Sequence, residues 1–183
     1  MSFLRRSPTL RRSSFWLSTL VAGSASCISL VGGLSIELVA DRLLPVVPLL
    51  IATPALNNMV GDYAAIIAAH IGDPAGRERS RRDLLKILSR VVIVNIVGLL
   101  ILSLLLAHGR GYIFSSAFIV KFGLFIAGVF VFMILAMFAI SIWLERLLTK
   151  RNLDPDELLI PVVTSVTDVA VLSLVAIGAL ILF

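Results

Sequence analysis

Cysteine, histidine and recognisable catalytic motifs are scarce in this sequence of 183 residues, which has one cysteine and two histidines. The single cysteine, Cys27, excludes an internal disulfide and any CxxC metal site. Without a cluster of histidine and cysteine ligands, a zinc or copper site is not expected. The sequence also has no nucleophile–base pair and no cofactor-binding motif, so we do not expect an enzyme.

Long polar stretches are missing as well, since 59% of the residues are hydrophobic and only 15% are charged. This composition lies far outside the range of soluble globular domains. At roughly 20 residues per membrane-crossing helix, the chain has room for about five spans and little else. We therefore predict an all-α integral membrane protein, with a cytoplasmic basic tail over residues 1–14 and a five-span transmembrane domain over residues 15–183. The predicted spans cover residues 15–39, 44–71, 85–107, 113–144 and 158–183.

The first two predicted spans each carry a distinctive pattern. Small residues recur at steps of three and four along the first span and form a face suited to close helix contact in lipid. They are Ser18, Ala22, Ser26, Ser29 and Gly33. The second span contains Pro45, Pro48 and Pro54, and each proline removes a backbone donor and disfavours helix at the residue before it. We predict that prolines break this span between Pro48 and Asn58.

The net charge of +5 comes from basic residues that flank the predicted spans, so it indicates topology rather than nucleic-acid binding. With five spans, the N-terminal tail shares one side of the membrane with the loops at 72–84 and 145–157. The basic residues of that side are Arg5, Arg6, Arg11, Arg12, Arg77, Arg79, Arg81, Arg82, Arg146, Lys150 and Arg151. The opposite loops hold only Arg42 and Arg110. The positive-inside rule therefore predicts a cytoplasmic N-terminus and an outside C-terminus in the plasma membrane.

Two aspartates lie within the apolar segments, Asp62 in the second span and Asp168 in the fifth. A carboxylate in hydrocarbon is costly unless it faces protein, water or a cation, so an intramembrane acid indicates a functional site. Asp62 precedes Ile71, at the cytoplasmic end of its span, by nine residues, and Asp168 follows Leu159, near the start of its span, by nine. At about 1.5 Å per residue both acids lie roughly 13 Å from that boundary. Equal depth is what a shared site requires.

Oxygen ligands surround both aspartates in the sequence, and such ligands suit hard cations such as Mg²⁺ or Ca²⁺. We predict a metal site in which the backbone of residues 57–61, including Asn58 and Gly61, contributes oxygens. Ala65 and the neighbouring alanines 64, 68 and 69 would leave room for another helix or a hydrated ion. The candidate residues are Asp168, Asp62, Thr164, Thr167, Gly61, Asn58 and Ala65. Mg²⁺ loses water reluctantly, so a few acids around a hydrated ion fit better than a dry cage. Structural acids and a proton relay stay open as alternatives.

An Asp-Pro pair at residues 154–155 precedes the last span, which then contains Pro161, a Thr-Ser pair at 164–165 and Asp168. This pattern resembles the last span of MgtE-type magnesium channels. The stretch 54–62 is similar to the second span of the same family and of the animal solute carriers that fuse two such units. The family usually has Gly-Asn where this chain has Gly61-Asp62, which adds one negative charge per subunit.

The resemblance implies a homodimer with a pore between the subunits, lined by the second and fifth spans. It also implies a hydrated Mg²⁺ near Asp168, with Ca²⁺ or Mn²⁺ left open as the transported ion. The soluble regulatory domains of the bacterial channels have no counterpart in this sequence, so regulation would need a separate cytosolic protein. Two alternatives stay open: a sodium- or proton-coupled magnesium exporter, and a non-transporting subunit that anchors a soluble partner through the basic loop at 72–84.

Overall fold

Six α-helices make up the described part of the chain in a computed structural model of the protein. The structure describes residues 8–72, 81–151 and 155–183, with side-chain surroundings for 19–71, 86–151 and 158–183. The helices are α1 (Pro8–Glu37), α2 (Ala40–Leu43), α3 (Val47–Gly72), α4 (Arg81–His108), α5 (Ser116–Lys150) and α6 (Pro155–Ile181). No strand occurs within these ranges, so the predicted all-helical fold class is confirmed.

Helix α3 lies at the centre of the bundle, where it packs against α4, α5 and α6. Its buried side chains recur at steps of three and four, which places them on one face of the helix. They are Leu49, Ala52, Leu56, Val60, Ala64 and Ile67. Similar buried rows on α5 (Phe122, Ile126, Phe130, Met133 and Met137) and on α6 (Leu159, Val163, Val171 and Val175) complete the core. The apolar residues that remain exposed on α1 and α4 are those expected to meet lipid.

Four helices are long and apolar enough to cross a membrane, judged over the described residues. They are Thr19–Glu37, Lys86–His108, Ser116–Lys150 and Leu158–Ile181. Helix α3 has 26 residues, which is about 39 Å and longer than the roughly 30 Å of hydrocarbon in a bilayer. Helix α3 is not among the four, and it carries the polar residues Asn57, Asn58 and Asp62 near its middle. The fifth crossing therefore stays a prediction.

The predicted break in the second span is wrong, because α3 runs without interruption from Val47 to Gly72. Pro48 lies in the first turn, where backbone N–H groups have no partner within the helix. Pro54 lies inside the helix and removes only one hydrogen bond, a loss that helices in a membrane bundle tolerate. The interruption falls at residues 44–46, around Pro45 and between α2 and α3.

The starts of α3 and α5 lie beside the end of α6. Lys121 of α5 donates a hydrogen bond to the backbone carbonyl of Leu182, and its Nζ lies 5.6 Å from the ring centroid of Phe183. Val46, just before α3, lines the same surface cavity as these three residues. Both α3 and α5 are therefore antiparallel to α6.

The predicted tail over residues 1–14 overlaps α1, which begins at Pro8. The basic loop residues 73–80 lie outside the described residues.

Helix α1 packs along α6, but with a different face from the one that the small residues predict. Ala25 and Gly32 are buried and Ser29 is half-buried, whereas the predicted contact residues Ala22, Ser26 and Gly33 are exposed. The predicted face is therefore wrong for contacts inside the subunit, apart from Ser29. A Cβ at Gly32 would lie 3.0 Å from the Cα of Val169 and 3.2 Å from the carbonyl oxygen of Asp168. The missing side chain at Gly32 thus determines which face of α1 meets α6.

Candidate cation site

The carboxylate of Asp168 lies between α1 and α3, and Asp168 has the only charged side chain in the sequence from residue 158 to residue 183. Ser29 of α1 donates a hydrogen bond from its hydroxyl to Oδ2 of Asp168 over 2.8 Å. Asn57 of α3 donates from Nδ2 to Oδ1 of the same carboxylate over 3.0 Å. Each oxygen thus has one donor, and the two donors come from opposite sides.

Glycines on both neighbouring helices allow this close approach. A Cβ at Gly61 of α3 would lie 3.9 Å from Oδ1 of Asp168, and Gly32 of α1 lies against the backbone of the same residue. Because glycine has no side chain, both helix backbones come close enough for short polar side chains to reach the acid. The resulting site joins three helices around one carboxylate.

The electrostatics of the site follow from the nature of its donors. A hydroxyl and an amide stabilise the ionised form of a carboxylate by hydrogen bonding but do not neutralise its charge. Neither of these two partners carries a positive charge that could pair with the half-buried Asp168. An ionised carboxylate in such surroundings would interact with a cation more strongly than it would in water.

An unused oxygen lies next to the carboxylate. Oδ1 of Asn57 is buried and has no hydrogen-bond partner among the residues that the structure describes, while Nδ2 of the same amide binds Asp168. A buried acceptor without a partner costs about 1–3 kcal/mol in a protein interior. A cation, or a water molecule bound to one, would satisfy this oxygen.

Asp62 occupies a different environment from Asp168 although the two lie at nearly the same level. Gly61, the residue before Asp62, lies beside the Asp168 carboxylate, so the aspartates differ in depth by less than about one helical turn. Asp62 points away from that contact, about 100° further around α3. It is exposed on the subunit surface, in a strip that also contains Asn58 and Ile66.

The two candidate threonines of α6 face in different directions. Thr164 lies one turn before Asp168 and is half-buried, and its hydroxyl donates to the carbonyl of Ile160 over 2.9 Å. That geometry leaves its oxygen able to accept a hydrogen bond or bind a cation. Thr167 is fully buried against α5, where its hydroxyl lies 2.8 Å from Sδ of Met137. The fold does not bring Thr167 to Asp168.

Comparison with known proteins assigns the chain to a family. The family model MgtE, described as a divalent cation transporter, matches residues 53–177, well over half of the chain. The chain belongs to the MgtE family. This confirms the resemblance seen in the last span and shows a divalent cation transporter family rather than an enzyme family. Searches of curated proteins and of solved structures found no match.

The part matched by the MgtE model extends from α3 into α6 and includes both aspartates. With the apolar helices, membership of a transporter family makes this a multi-pass membrane protein. Helix α1 lies outside the matched residues, although Ser29 binds Asp168 directly.

Sequence reasoning missed the side chains of Ser29 and Asn57 as partners of Asp168. Asn57 had one usable signal, since it lies four residues before Gly61 and so shares its face of α3. Ser29 was assigned only to a packing face. Among the predicted site residues, Gly61 and Asp168 are in contact, Thr164 and Ala65 lie one turn from them, and Asn58 and Asp62 are exposed.

Proposed function

We propose that this MgtE-family protein carries Mg²⁺ across the plasma membrane, with Asp168 as the residue that holds the ion. The observation that carries this proposal is the half-buried Asp168 carboxylate, whose hydrogen-bond partners within the described part of the chain are neutral donors from two other helices. The hydrogen bonds orient the carboxylate and leave its charge available to a cation. Family membership supplies the class of substrate, a divalent cation.

The proposed ion keeps most of its water. Mg²⁺ requires near-octahedral oxygen ligands and loses water slowly, so proteins often hold it through one or two carboxylates and its own hydration shell. Such a hydration shell can contact neutral or singly charged oxygens. The site offers the carboxylate of Asp168, the free oxygen of Asn57 and the hydroxyl of Thr164. Calcium and manganese use the same ligand type, so ion competition belongs in the test.

The exposed position of Asp62 supports a homodimer. In a single subunit this carboxylate lies on an outer surface of α3 next to Ile66, which is 48% exposed. A charged group that faces lipid at membrane depth costs several kcal/mol. A second copy packed on this strip of α3 would remove Asp62 and Asn58 from lipid and place them beside a water-filled pore. There Asp62 would deepen the negative potential along the ion's path.

The proposal also requires α3 to cross the membrane as the second of five spans. Asn57 and Gly61 are turned towards α6, and the apolar face of α3 is buried in the core. The exposed Asn58 and Asp62 would be kept from lipid by the proposed second subunit, so that within the dimer the polar groups of α3 do not oppose insertion. With five spans, Arg146, Lys150 and Arg151 at the end of α5 lie on the side of the N-terminus. We propose that this side is cytoplasmic.

The proposal predicts that Asp168→Asn reduces Mg²⁺ flux by at least about tenfold, equivalent to 1.4 kcal/mol of ion stabilisation. The asparagine is nearly isosteric but removes the charge that attracts the ion. Flux would be measured with the purified protein in liposomes that contain a magnesium-sensitive dye. Asp41→Asn is the matched control because Asp41 lies exposed on the short helix α2.

Unchanged flux in Asp168→Asn, with a normal size-exclusion profile, would overturn the proposed role of Asp168. Absence of any divalent cation flux from the wild-type protein would instead favour a membrane anchor that does not transport. Flux that occurs only with an opposing sodium or proton gradient would change the mechanism from a channel to an exchanger. Competition by Ca²⁺ and Mn²⁺ in the same liposomes would rank the three ions.

A further inference from the structure

The Asp168 carboxylate is held from two sides by side chains that belong to different helices. Ser29 of α1 binds Oδ2 over 2.8 Å, and Asn57 of α3 binds Oδ1 over 3.0 Å. Neither donor lies on α6, so the orientation of the carboxylate depends on how α1 and α3 pack against that helix. Any displacement of either helix would change the direction in which the acid presents its oxygens.

We propose that Ser29 and Asn57 form a polar clamp that sets the affinity of the site for divalent cations. In this clamp Ser29 positions Asp168, while Asn57 both positions it and supplies Oδ1 as a further oxygen ligand. The inference rests on the proposed function, because it assumes that Asp168 binds the transported cation. It adds α1, which lies outside residues 53–177, to the ion-binding machinery.

The ligand role of Asn57 follows from its amide. Nδ2 is used by Asp168, and Oδ1 is buried without a partner among the described residues, so the free acceptor belongs to the same amide group that contacts the carboxylate. Oxygen and nitrogen are bonded to one carbon of a planar amide, so the oxygen stays close to the donor that binds the acid. A cation, or a water molecule in its shell, between the two groups would be bound by one charged and one neutral oxygen. That combination suits a hard cation.

The positioning role of Ser29 follows from the packing of α1. Gly32 follows Ser29 by less than one turn and brings the α1 backbone against the backbone of Asp168 and Val169. The Ser29 hydroxyl therefore reaches across a helix contact, whereas the neighbouring hydroxyl of Ser26 donates to the carbonyl of Ala22 on its own helix. The difference between these two serines provides a matched test.

For Asn57, we expect Asn57→Leu to raise the dissociation constant for Mn²⁺ by about tenfold. Binding would be measured directly by electron paramagnetic resonance of Mn²⁺ with the full-length protein in detergent, and Mg²⁺ competition would follow in the same samples. Thr53→Val is the control, because Thr53 lies one turn earlier on α3 and its hydroxyl donates to the carbonyl of Leu49. Equal affinities for wild-type protein and Asn57→Leu would overturn the clamp.

For Ser29, we expect Ser29→Ala to weaken Mn²⁺ binding by about threefold and Ser29→Thr to restore it, since threonine keeps the hydroxyl donor. Ser26→Ala should leave binding unchanged. Weak binding in both Ser29→Ala and Ser29→Thr would attribute the effect to packing and overturn the positioning role. Equal weakening by Ser26→Ala would do the same.

A charge variant separates a ligand role of Asn57 from a merely structural one. Asn57→Asp places two carboxylates against each other, so the protein should lose thermal stability without divalent cations and regain it when Mg²⁺ neutralises the pair. The rise in Tm on adding Mg²⁺ should be larger than in wild-type protein. A stability loss that Mg²⁺ does not reverse would contradict a ligand at this position.

Failure of the clamp can be distinguished from failure of the proposed function. If wild-type protein binds Mn²⁺ and Asp168→Asn does not, but the Ser29 and Asn57 variants bind normally, the site stands and the clamp is wrong. If wild-type protein and Asp168→Asn bind equally, the site itself is wrong, and the clamp with it.

Discussion

Asp62 and Asp168 lie at nearly the same depth of the bundle but in different environments. Asp168 is half-buried and bound by Ser29 and Asn57, whereas Asp62 is exposed on the next face of α3. One residue step, from Gly61 to Asp62, turns the direction of the side chain by about 100°. The side chain then points to the outer surface of the subunit instead of towards α6. The proposed function therefore assigns direct binding of the ion to Asp168, and an action at a distance, through its charge, to Asp62.

At the scale of the residue, we expect Asp62→Asn to raise the Mg²⁺ concentration for half-maximal flux by about two- to fivefold. A charge that acts across water contributes no more than about 1 kcal/mol, so this effect should be smaller than that of Asp168→Asn. The measurement is the concentration dependence of flux in liposomes. A larger loss than in Asp168→Asn would make Asp62 the principal ligand.

At the scale of the element, the contact between α1 and α6 determines whether Ser29 reaches Asp168. The contact depends on Gly32, where a Cβ would lie 3.0 Å from the Cα of Val169 and 3.2 Å from Leu172 Cδ1. Backbone atoms cannot move aside as the end of a long side chain can. Helix α1 must therefore shift if any side chain is introduced at this position.

We expect Gly32→Ala to lower the stability of the protein by about 1–3 kcal/mol, because the added methyl group overpacks the helix contact. Gly33→Ala is the control, since no atom lies within 4 Å of a Cβ at that position. There alanine should be neutral, or stabilising by up to about 1 kcal/mol through its higher helix propensity. Thermal unfolding in detergent would measure both variants.

Equal stability of the two glycine variants would show that α1 is not held against α6 at this point. Gly32→Ala should also weaken Mn²⁺ binding, because a displaced α1 carries Ser29 away from the carboxylate. Loss of stability without loss of binding would separate the packing role of α1 from its role at the site.

At the scale of the whole molecule, the polar strip of α3 is the surface that most needs a partner. Asn58 and Asp62 are exposed there beside Ile66, on a helix whose other faces are buried against α4, α5 and α6. Exposed apolar residues on α1 and α4 can meet lipid without cost, but an exposed aspartate at membrane depth cannot. The proposed dimer places this strip between two subunits.

The dimer predicts that Ile66→Cys cross-links efficiently between two subunits in a Cys27→Ser background. Ile66 lies one turn beyond Asp62 on the same strip, and replacing Cys27 removes the native cysteine. Leu105→Cys on α4 is the control, since Leu105 is 62% exposed on a helix that the proposed interface does not include. Cross-linked product would be measured by gel electrophoresis after treatment with a short bifunctional reagent.

If Leu105→Cys gave more cross-linked dimer than Ile66→Cys, the interface would lie on a different face of the subunit. A protein that is monomeric by light scattering and still transports Mg²⁺ at the wild-type rate would contradict a pore between subunits. In that case Asp62 would need another explanation within the single subunit.

The sequence by itself determined the properties that depend on local composition and spacing. Apolar runs of about 20 residues specify helices for a membrane, and an aspartate within such a run indicates a functional site wherever the helix is placed. The pattern around Asp168 was also sufficient to indicate the family, because it lies on one contiguous segment. These signals survive without knowledge of how the helices pack.

Only the tertiary structure decided which face each helix turns to its neighbours, because one residue changes the direction of a side chain by about 100°. Packing of Gly32 and Gly61 against α6 brought Ser29 and Asn57 to Asp168 and turned Asp62 outward. The same rotation buried Thr167 against Met137. Contacts between distant segments also let α3 continue through Pro54, since packing in the bundle outweighs the loss of one backbone hydrogen bond.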